Sequence, residues 1–330
     1  MTPNKSPVLD WFYEKSISLS QRIIGRYKGD EPGPLLVITG GMHGNEPAGV
    51  RALDLLFKML EVEPITNPDF SYKGEIIGII GNLQAYKKGK RFIQKDINRS
   101  WEPEIIENLK HADKDQLHDE DWEIRDILDV IDEEIKRVGP DELYLLDLHT
   151  TSSDGGIFCI TTDNKKSIEI AHEIHAPVIL GLLKDISGTT LHYFNEKNMG
   201  LPSTAIAFEG GHHDDPQSIN RCIAAIVNFL RAIGVVSPEH IENRHDHILK
   251  QYSCNLPEIV EVIYKFHIED NHKWQMKPGF KNFQAVTKGE LLARYDDQDV
   301  KAEADGMILM PLYQAQGNDG FFIVKTWYGG

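Results

Sequence analysis

Cysteine is scarce in this chain of 330 residues, which contains only Cys159, Cys222 and Cys254. They lie far apart in the sequence, and no two of them have the C-x-x-C spacing of cysteine metal sites and redox motifs. The sequence therefore favours neither a disulfide framework nor a cysteine zinc site. Because this usage of cysteine fits a reducing compartment, we expect the protein to be cytoplasmic.

Long hydrophobic runs are also lacking. No segment approaches the ~20 apolar residues that cross a bilayer as a helix, and the N-terminal segment MTPNKSP has no apolar signal-peptide core. We therefore expect no membrane partner. With 41% hydrophobic and 26% charged residues, the composition is ordinary for a globular protein, and the length allows a large core plus a smaller second unit.

Positive charge is the third scarcity, because 35 Lys and Arg residues face 51 Asp and Glu residues, giving a net charge of −16. This balance argues against a nucleic-acid partner or an anionic membrane surface. One stretch reverses the trend: residues 87–99 contain six basic residues and a single acidic one. In an acidic chain such a stretch indicates either a local anion site or a solvated cationic loop.

Apolar runs alternate with helical patterns over the first part of the chain. The strands we predict lie at 16–27, 35–39, 75–81, 142–148, 157–161, 178–182 and 203–208, and the main helices follow residue 47 and cover 122–138, 165–175 and 216–233. The order strand, helix, strand predicts a parallel α/β unit. Residues 102–121 are acidic and lack a clear period, so we expect mainly a surface excursion there.

The pattern changes near residues 237–250, after which short β-like runs predominate. We predict a catalytic α/β domain over residues 1–240 and a small β domain over residues 241–330. The second domain is similar to a biotinyl/lipoyl-like β fold, but its predicted hairpin tip at 296–299 carries no modifiable lysine. We therefore expect a lid over the active site or the interface of a homo-oligomer.

A glycine-rich turn stands out at residues 40–47, which read GGMHGNEP. It follows the apolar run at 35–39 and precedes a helical pattern, and Pro47 suits a first helical turn. His43 and Glu46 are three residues apart on this turn. An imidazole and a carboxylate so placed can bind one divalent ion, although a capped helix with an unrelated histidine fits the same pattern.

His149 also follows a buried strand, so it should lie at the same sheet edge as His43. With Glu46 the two histidines would form a His₂Glu site. Three protein ligands leave a fourth position for a water molecule, which is the pattern of catalytic rather than structural zinc. Asp147 alternates away from His149 and either supports a ligand or packs elsewhere.

Glu209 is a third polar residue at a strand end, flanked by Gly210 and Gly211. A carboxylate beside a metal can take a proton from water and give it to a leaving amine, but a structural acid at a helix start fits equally well. His212 and His213 follow closely, and we interpret them as loop or supporting residues rather than ligands.

The basic stretch contains the groups that would bind a negatively charged substrate. Arg91 and Arg99 offer planar donors for an oxyanion or a carboxylate, and Asn98 adds an amide donor. Surface pairing of these arginines with the acidic segment is the alternative.

Together these residues form four motifs in a fixed order. The motifs are His43-Gly-Asn-Glu46, Asp96-Ile-Asn98-Arg99, Asp147-Leu-His149-Thr150 and Phe208-Glu209-Gly210. In this order the chain resembles the succinylglutamate desuccinylase/aspartoacylase family, which is similar to zinc carboxypeptidases. The resemblance covers residues 15–325 and implies an α/β/α sandwich with a central mixed, largely parallel sheet and a small C-terminal β domain.

The resemblance implies that His43, Glu46 and His149 bind one Zn²⁺ per chain and that Glu209 is the general base and acid. The family's reaction is hydrolysis of an N-acyl amino acid, so the implied substrate is small and anionic. The protein would then be a zinc-dependent amidohydrolase acting on linear amides.

The resemblance also implies roles for the basic stretch: Arg91 would polarise the scissile carbonyl, and Asn98 and Arg99 would hold the substrate carboxylate. Aspartoacylases carry a further substrate-binding arginine about ten residues before the glutamate, where this chain has the stretch 198–200, Asn-Met-Gly. The family's C-terminal pocket tyrosine has no counterpart in 317–320. The acyl group and the amino acid therefore stay open.

Two other functions use the same pattern. A metallocarboxypeptidase acting on peptides or peptidoglycan fragments would need the same residues, so the motifs do not separate it from a deacylase. A non-catalytic binding protein of this fold should lack a metal ligand or the base, and the sequence lacks neither.

Overall fold

The computed structural model of the protein describes residues 22–113, 117–184, 186–237 and 244–328. Within these ranges the strands are β1 Ile23–Lys28, β2 Glu31–Gly40, β3 Lys73–Ile80, β4 Leu143–Thr151, β5 Phe158–Thr161, β6 Val178–Leu180, β7 Ser203–His212, β8 Ile259–His267, β9 Trp274–Met276, β10 Gln284–Val286, β11 Leu291–Tyr295, β12 Gln298–Lys301, β13 Gly306–Leu309 and β14 Asp319–Thr326. The helices are α1 Ala48–Thr66, α2 Leu83–Lys88, α3 Pro103–His111, α4 Asp119–Val138, α5 Lys165–Glu173, α6 Thr190–Tyr193, α7 Glu196–Met199, α8 Gln217–Ala232 and α9 Arg244–Ser253. Short 3₁₀ turns cover Ile97–Arg99, Leu182–Lys184 and Asn271–Lys273.

Most of the described strands form one mixed sheet in the order β1-β3-β2-β4-β7-β5-β6-β8-β14-β13-β10. The neighbours β3, β2, β4 and β7 run parallel, as expected for strands joined by helices. Strand β1 pairs antiparallel with β3 at the sheet edge, and β5 pairs antiparallel with β7. The predicted fold class, a mixed α/β sheet with a small C-terminal β part, is confirmed.

Helices cover both faces of this sheet because successive side chains of a strand point to opposite sides. In β2, Leu36 and Ile38 belong to a core that includes residues of α1 and α8. Their neighbours Leu35 and Val37 belong to a second core with residues of α3 and α4. None of the helices in the described ranges has both the length and the hydropathy to cross a membrane.

The C-terminal strands continue the main sheet instead of standing apart from it. Strand β8 pairs parallel with β6, and β14, β13 and β10 follow outward. Only β9, β11 and β12 form a separate, antiparallel sheet within the described residues. The predicted domain boundary between residues 240 and 241 lies outside the described residues and stays a prediction, and so does the first part of the predicted strand 16–27.

The predicted surface excursion at 102–121 contains helices that the sequence analysis did not predict, although most of its described residues are at least partly exposed. Helix α3 occupies 103–111, and α4 begins at Asp119, ahead of the predicted start. Ile106 and Leu109 are buried against the second core. The acidic composition hid this helical pattern, because not all of the acids face solvent: Glu120 accepts hydrogen bonds from the backbone of the basic stretch, and Asp121 accepts one from Lys95.

Candidate metal centre

Three parallel strands bring the candidate ligands to one edge of the sheet. The turn with His43 and Glu46 follows β2, while His149 lies near the end of β4. Glu209, on β7, is the direct register partner of His149. The geometric expectation that strand ends share an edge thus places the four side chains along one pocket wall.

The turn after β2 is held by close backbone packing. Gly41 has a φ of +68°, which favours glycine, and the N–H of Gly44 donates to the Arg91 carbonyl at 3.1 Å. A Cβ on Gly44 would lie 2.1 Å from the Ala85 carbonyl carbon and 2.2 Å from the Tyr86 nitrogen. The turn after β2, residues 40–47, which we call the metal-site turn, and the basic stretch are therefore packed as one unit. A larger residue at position 44 would separate them.

His43, Glu46 and His149 form a group that could hold a metal ion. Each offers one ligand atom, and these atoms lie within 4.8 Å of one another. Nδ1 of His43 is 2.9 Å from Glu46 Oε1, and Nδ1 of His149 is 3.1 Å from Glu46 Oε2. Burial raises the pKa of Glu46, but the two imidazoles outweigh it and hold that pKa well below its ordinary value. Glu46 is therefore an anion in this buried group.

The outer nitrogen of each imidazole faces a carboxylate. Nε2 of His43 is 3.2 Å from Asp96 Oδ1, and Nε2 of His149 is 3.0 Å from Asp147 Oδ2. The hydrogen bond to Asp96 fixes the ring orientation of His43 and keeps its proton on Nε2, so that Nδ1 can bind a metal. Asp147 lies within ion-pair distance of His149 Nε2 and favours a proton there by its charge, without a hydrogen bond. Two imidazoles and one carboxylate are the ligand types that Zn²⁺ accepts, so the residues present fit that ion.

The sequence left open whether Asp147 supports a ligand or packs elsewhere, and the structure places it next to His149. Its side chain is fully buried beneath His149 and accepts hydrogen bonds from Thr39 Oγ1 at 2.5 Å and from Thr190 Oγ1 at 2.8 Å. Burial raises the pKa of Asp147, but His149 and the two hydroxyls lower it below the ordinary value. The same carboxylate outweighs the burial of His149 and raises the pKa of the imidazole well above its usual value.

Glu209 is the buried carboxylate without a full set of partners. Its Oε2 accepts no hydrogen bond from any described residue, and the side chain lines the pocket beside the three ligand candidates. Burial, with a smaller contribution from Glu46, raises the pKa of Glu209 to about 8. A carboxylate in this state can both accept and release a proton near neutral pH.

The basic stretch supplies two arginines to the pocket, and both have acidic partners. Arg91 donates from Nε and Nη2 to Asp96 Oδ2 at 3.2 and 3.0 Å, and its Nη1 is 3.6 Å from Glu46 Oε1. Arg99 donates to the Asn98 carbonyl at 2.7 Å and to the Asp319 carboxylate. The structure therefore brings the predicted anion-binding residues to the pocket, but with their charges partly compensated.

Glu120 is a positioning residue that the sequence interpretation missed. It lies in the first turn of α4 with no exposed surface, and it accepts hydrogen bonds from the backbone N–H groups of Ile93, Gln94 and Lys95 at 2.6, 3.1 and 3.2 Å. The side chain of Asn82 donates to it as well. Three consecutive acids at 119–121 were a helix-start signal that could have located it.

His212 and His213 do not belong to the candidate metal-ligand group found among the described residues. His213 Nδ1 is 2.7 Å from Thr150 Oγ1, on the strand that carries His149. The C-terminal segment also lines the pocket, with residues that include Met310, Leu312 and Asp319. That contribution from residues 310–319 was not predicted in detail.

Several known proteins are similar to this chain in sequence or in fold. The chain is similar to a probable aspartoacylase from Nostoc sp., 33% identical over 125 residues and so over only 38% of the length of each protein. It is also similar to a succinylglutamate desuccinylase from Shewanella sp., 25% identical over 279 residues that cover 82% of this chain and 75% of that one. The crystal structure of a succinylglutamate desuccinylase/aspartoacylase from Rhodobacter sphaeroides shares the fold, with a TM-score of 0.59 at 14% identity over 94% of this chain and 98% of that one. A model of the succinylglutamate desuccinylase/aspartoacylase catalytic domain matches residues 32–233, more than half of the chain and all three strands of the site, so the chain belongs to this family.

Proposed function

We propose that the protein is a zinc-dependent hydrolase that cleaves the amide bond of a small N-acyl amino acid. The observation that carries the proposal is the buried group of His43, Glu46 and His149 beside a buried carboxylate, Glu209, that has an unpartnered oxygen. Family membership supports hydrolysis of an N-acyl amino acid as the reaction class. A cytoplasmic location and assembly into a homo-oligomer stay predictions.

Zinc would be held by His43, Glu46 and His149, and when bound it would supply a Lewis acid that activates water and polarises the amide carbonyl. Glu209 accepts the proton of the attacking water through its free oxygen and then delivers that proton to the departing amine. The raised pKa of Glu209, about 8, suits a group that performs both transfers.

Residues of the basic stretch bind the negatively charged groups of the substrate. Arg91 sits 3.6 Å from Glu46 and in the pocket lining, where its guanidinium can stabilise charge that develops on the carbonyl oxygen. Asn98 and Arg99 line the same pocket and bind the substrate carboxylate. Binding the carboxylate and the carbonyl oxygen at separate residues orients the amide.

The test is metal analysis of the purified full-length protein, followed by hydrolysis of a panel of N-acyl amino acids and short peptides. We expect about one zinc ion per chain, release of free amino acid from the N-acyl compounds, loss of turnover with a chelator and recovery with zinc. Turnover that is insensitive to chelation, or protein that binds no metal, would contradict the proposal. Hydrolysis confined to the peptides would instead identify a carboxypeptidase.

A further inference from the structure

Both arginines that line the metal pocket are already paired with carboxylates of this chain. Arg91 holds Asp96 through two hydrogen bonds, and Arg99 holds Asp319. No lysine is among the described residues that line this pocket. A substrate with several carboxylates would therefore find, among the described side chains that line the pocket, no lysine or arginine that lacks an acidic partner.

Asp319 is the partner that comes from outside the α/β unit. It begins β14, and its Oδ1 accepts from Lys265 Nζ at 2.8 Å while Oδ2 accepts from Arg99. Its side chain is only 12% exposed. Burial raises the pKa of Asp319, but Arg99 and Lys265 outweigh burial and lower it. An ionised carboxylate thus occupies one side of the Arg99 guanidinium, and a substrate carboxylate that binds Arg99 has to share this cation with Asp319.

Apart from the metal-ligand candidates, Glu209 and these ion pairs, the pocket lining is uncharged and combines apolar side chains with the hydroxyls and amides of Thr150, Thr151, Ser152, Thr189, Gln314 and Asn318. Side chains from the α/β unit and from the C-terminal segment meet there: Ile160, Leu182, Leu191, Ala207, Met310 and Leu312. An apolar wall does not compensate the desolvation of a second charge. An uncharged acyl group or side chain, by contrast, gains from burial against it.

From these three observations we propose that the substrate is an N-acyl amino acid with a single carboxylate and an otherwise uncharged acyl group and side chain. This inference rests on the proposed function. Asp319 is the specificity-determining residue that excludes a second carboxylate. The single carboxylate still binds, because Arg99 has five N–H donors and only two of its nitrogens are engaged, by Asn98 and Asp319. A second carboxylate meets the charge of Asp319 at close range, which is a repulsive element of selectivity.

The experiment compares N-acetylglutamine with N-acetylglutamate, a pair that is matched in shape and differs by one charge. Zinc-loaded wild-type protein should hydrolyse the glutamine compound with a kcat/KM at least about tenfold higher. Asp319→Asn should reduce this ratio by about tenfold, mainly through KM for the glutamate compound. Lys265→Gln removes one of the two cations that pair with Asp319, so the charge of Asp319 is less compensated. The preference for the glutamine compound over the glutamate compound should therefore increase.

Asp297→Asn is the matched control, because it removes one charge from an exposed position in the hairpin between β11 and β12. This variant should leave the ratio unchanged. A wild-type preference for the glutamate compound, or an Asp319→Asn ratio equal to that of wild type, would overturn the inference. If Asp319→Asn does not fold, the wild-type ratio and the Lys265→Gln ratio decide.

A binding measurement separates this inference from the proposed function. Calorimetry on Glu209→Gln protein gives dissociation constants for the same two compounds without turnover. Tighter binding of the glutamine compound supports the inference even if the wild-type protein hydrolyses neither compound, whereas absent hydrolysis of the whole panel counts against the proposed function alone. Equal binding of the two compounds overturns the inference.

Discussion

Two regions meet at the pocket, and they are built in different ways. The strand-end region, residues 40–47, 147–150 and 208–211, is fixed by a continuous parallel ladder in which Gly40 opposes Leu148 and His149 opposes Glu209. The C-terminal segment, residues 310–319, reaches the pocket as the connection between β13 and β14. It supplies apolar side chains, the amides of Gln314 and Asn318 and one carboxylate, but none of the candidate ligands.

The difference suggests a division of labour between chemistry and selectivity. Groups that transfer protons or bind a metal need positions accurate to a fraction of an ångström, which a sheet provides more reliably than a loop. Groups that select a substrate can come from a connection whose length and sequence are free to vary. Changes in the strand-end region should therefore alter kcat or metal binding, and changes in the C-terminal segment should alter KM.

The largest effect should follow Glu209→Gln. The amide keeps the size of the side chain but cannot accept the proton, so we expect kcat to fall by about 10³-fold, within the range for a general base, with zinc content unchanged. Steady-state kinetics and metal analysis on the same preparation measure both quantities. Asp214→Asn, at an exposed position on the turn after β7, is the control and should keep wild-type activity. Turnover of Glu209→Gln near the wild-type value would remove Glu209 from this role.

The same contrast explains how much the sequence could predict. His43, Glu46, His149 and Glu209 each follow an apolar run, so a local pattern and the geometry of parallel sheets were enough to place them at one edge. Asp319 lies 220 residues from Arg99 along the chain, and no local pattern reports such a contact. It depends on the β6–β8 pairing that attaches the C-terminal strands to the main sheet.

The sequence analysis missed the role of Glu120 for another reason. Its acidity resembled that of a solvated surface, because composition does not distinguish an exposed carboxylate from one that accepts three backbone N–H groups. Only the three-dimensional approach of the basic stretch to the start of α4 shows the difference. The acidic segment at 102–121 was therefore predicted to be mainly a surface excursion.

Asp147→Asn should have the next largest effect. The neutral side chain cannot hold the Nε2 proton of His149 as firmly, so we expect zinc affinity to fall by about 30-fold, within the range for such supporting residues. Competition with a chelator of known affinity measures this loss. Excess zinc should restore most of the turnover, whereas a loss that excess zinc does not restore would place Asp147 in the proton-transfer steps instead.

Arg99→Gln tests the boundary between the two regions, because Arg99 belongs to the basic stretch but pairs with Asp319 of the C-terminal segment. Losing a charged donor to the substrate carboxylate should raise KM by about tenfold with little change in kcat. The matched comparison uses N-acyl amino acids and the corresponding carboxamides. An equal loss for the carboxamides would contradict carboxylate binding by Arg99.

The smallest effect should follow Gln314→Ala. Gln314 Oε1 accepts a hydrogen bond from Asn45 Nδ2 at 2.9 Å, a direct polar link between the C-terminal segment and the metal-site turn. Because the bond is partly exposed and joins neutral groups, its loss should raise KM by only about threefold and leave kcat and zinc content at wild-type values. Steady-state kinetics on Gln314→Ala and Asn45→Ala, with the double variant to measure their coupling, provide the test. If kcat falls as steeply as KM rises, then the C-terminal segment helps to position the reacting groups, and chemistry and selectivity are not divided between the two regions as their construction suggests.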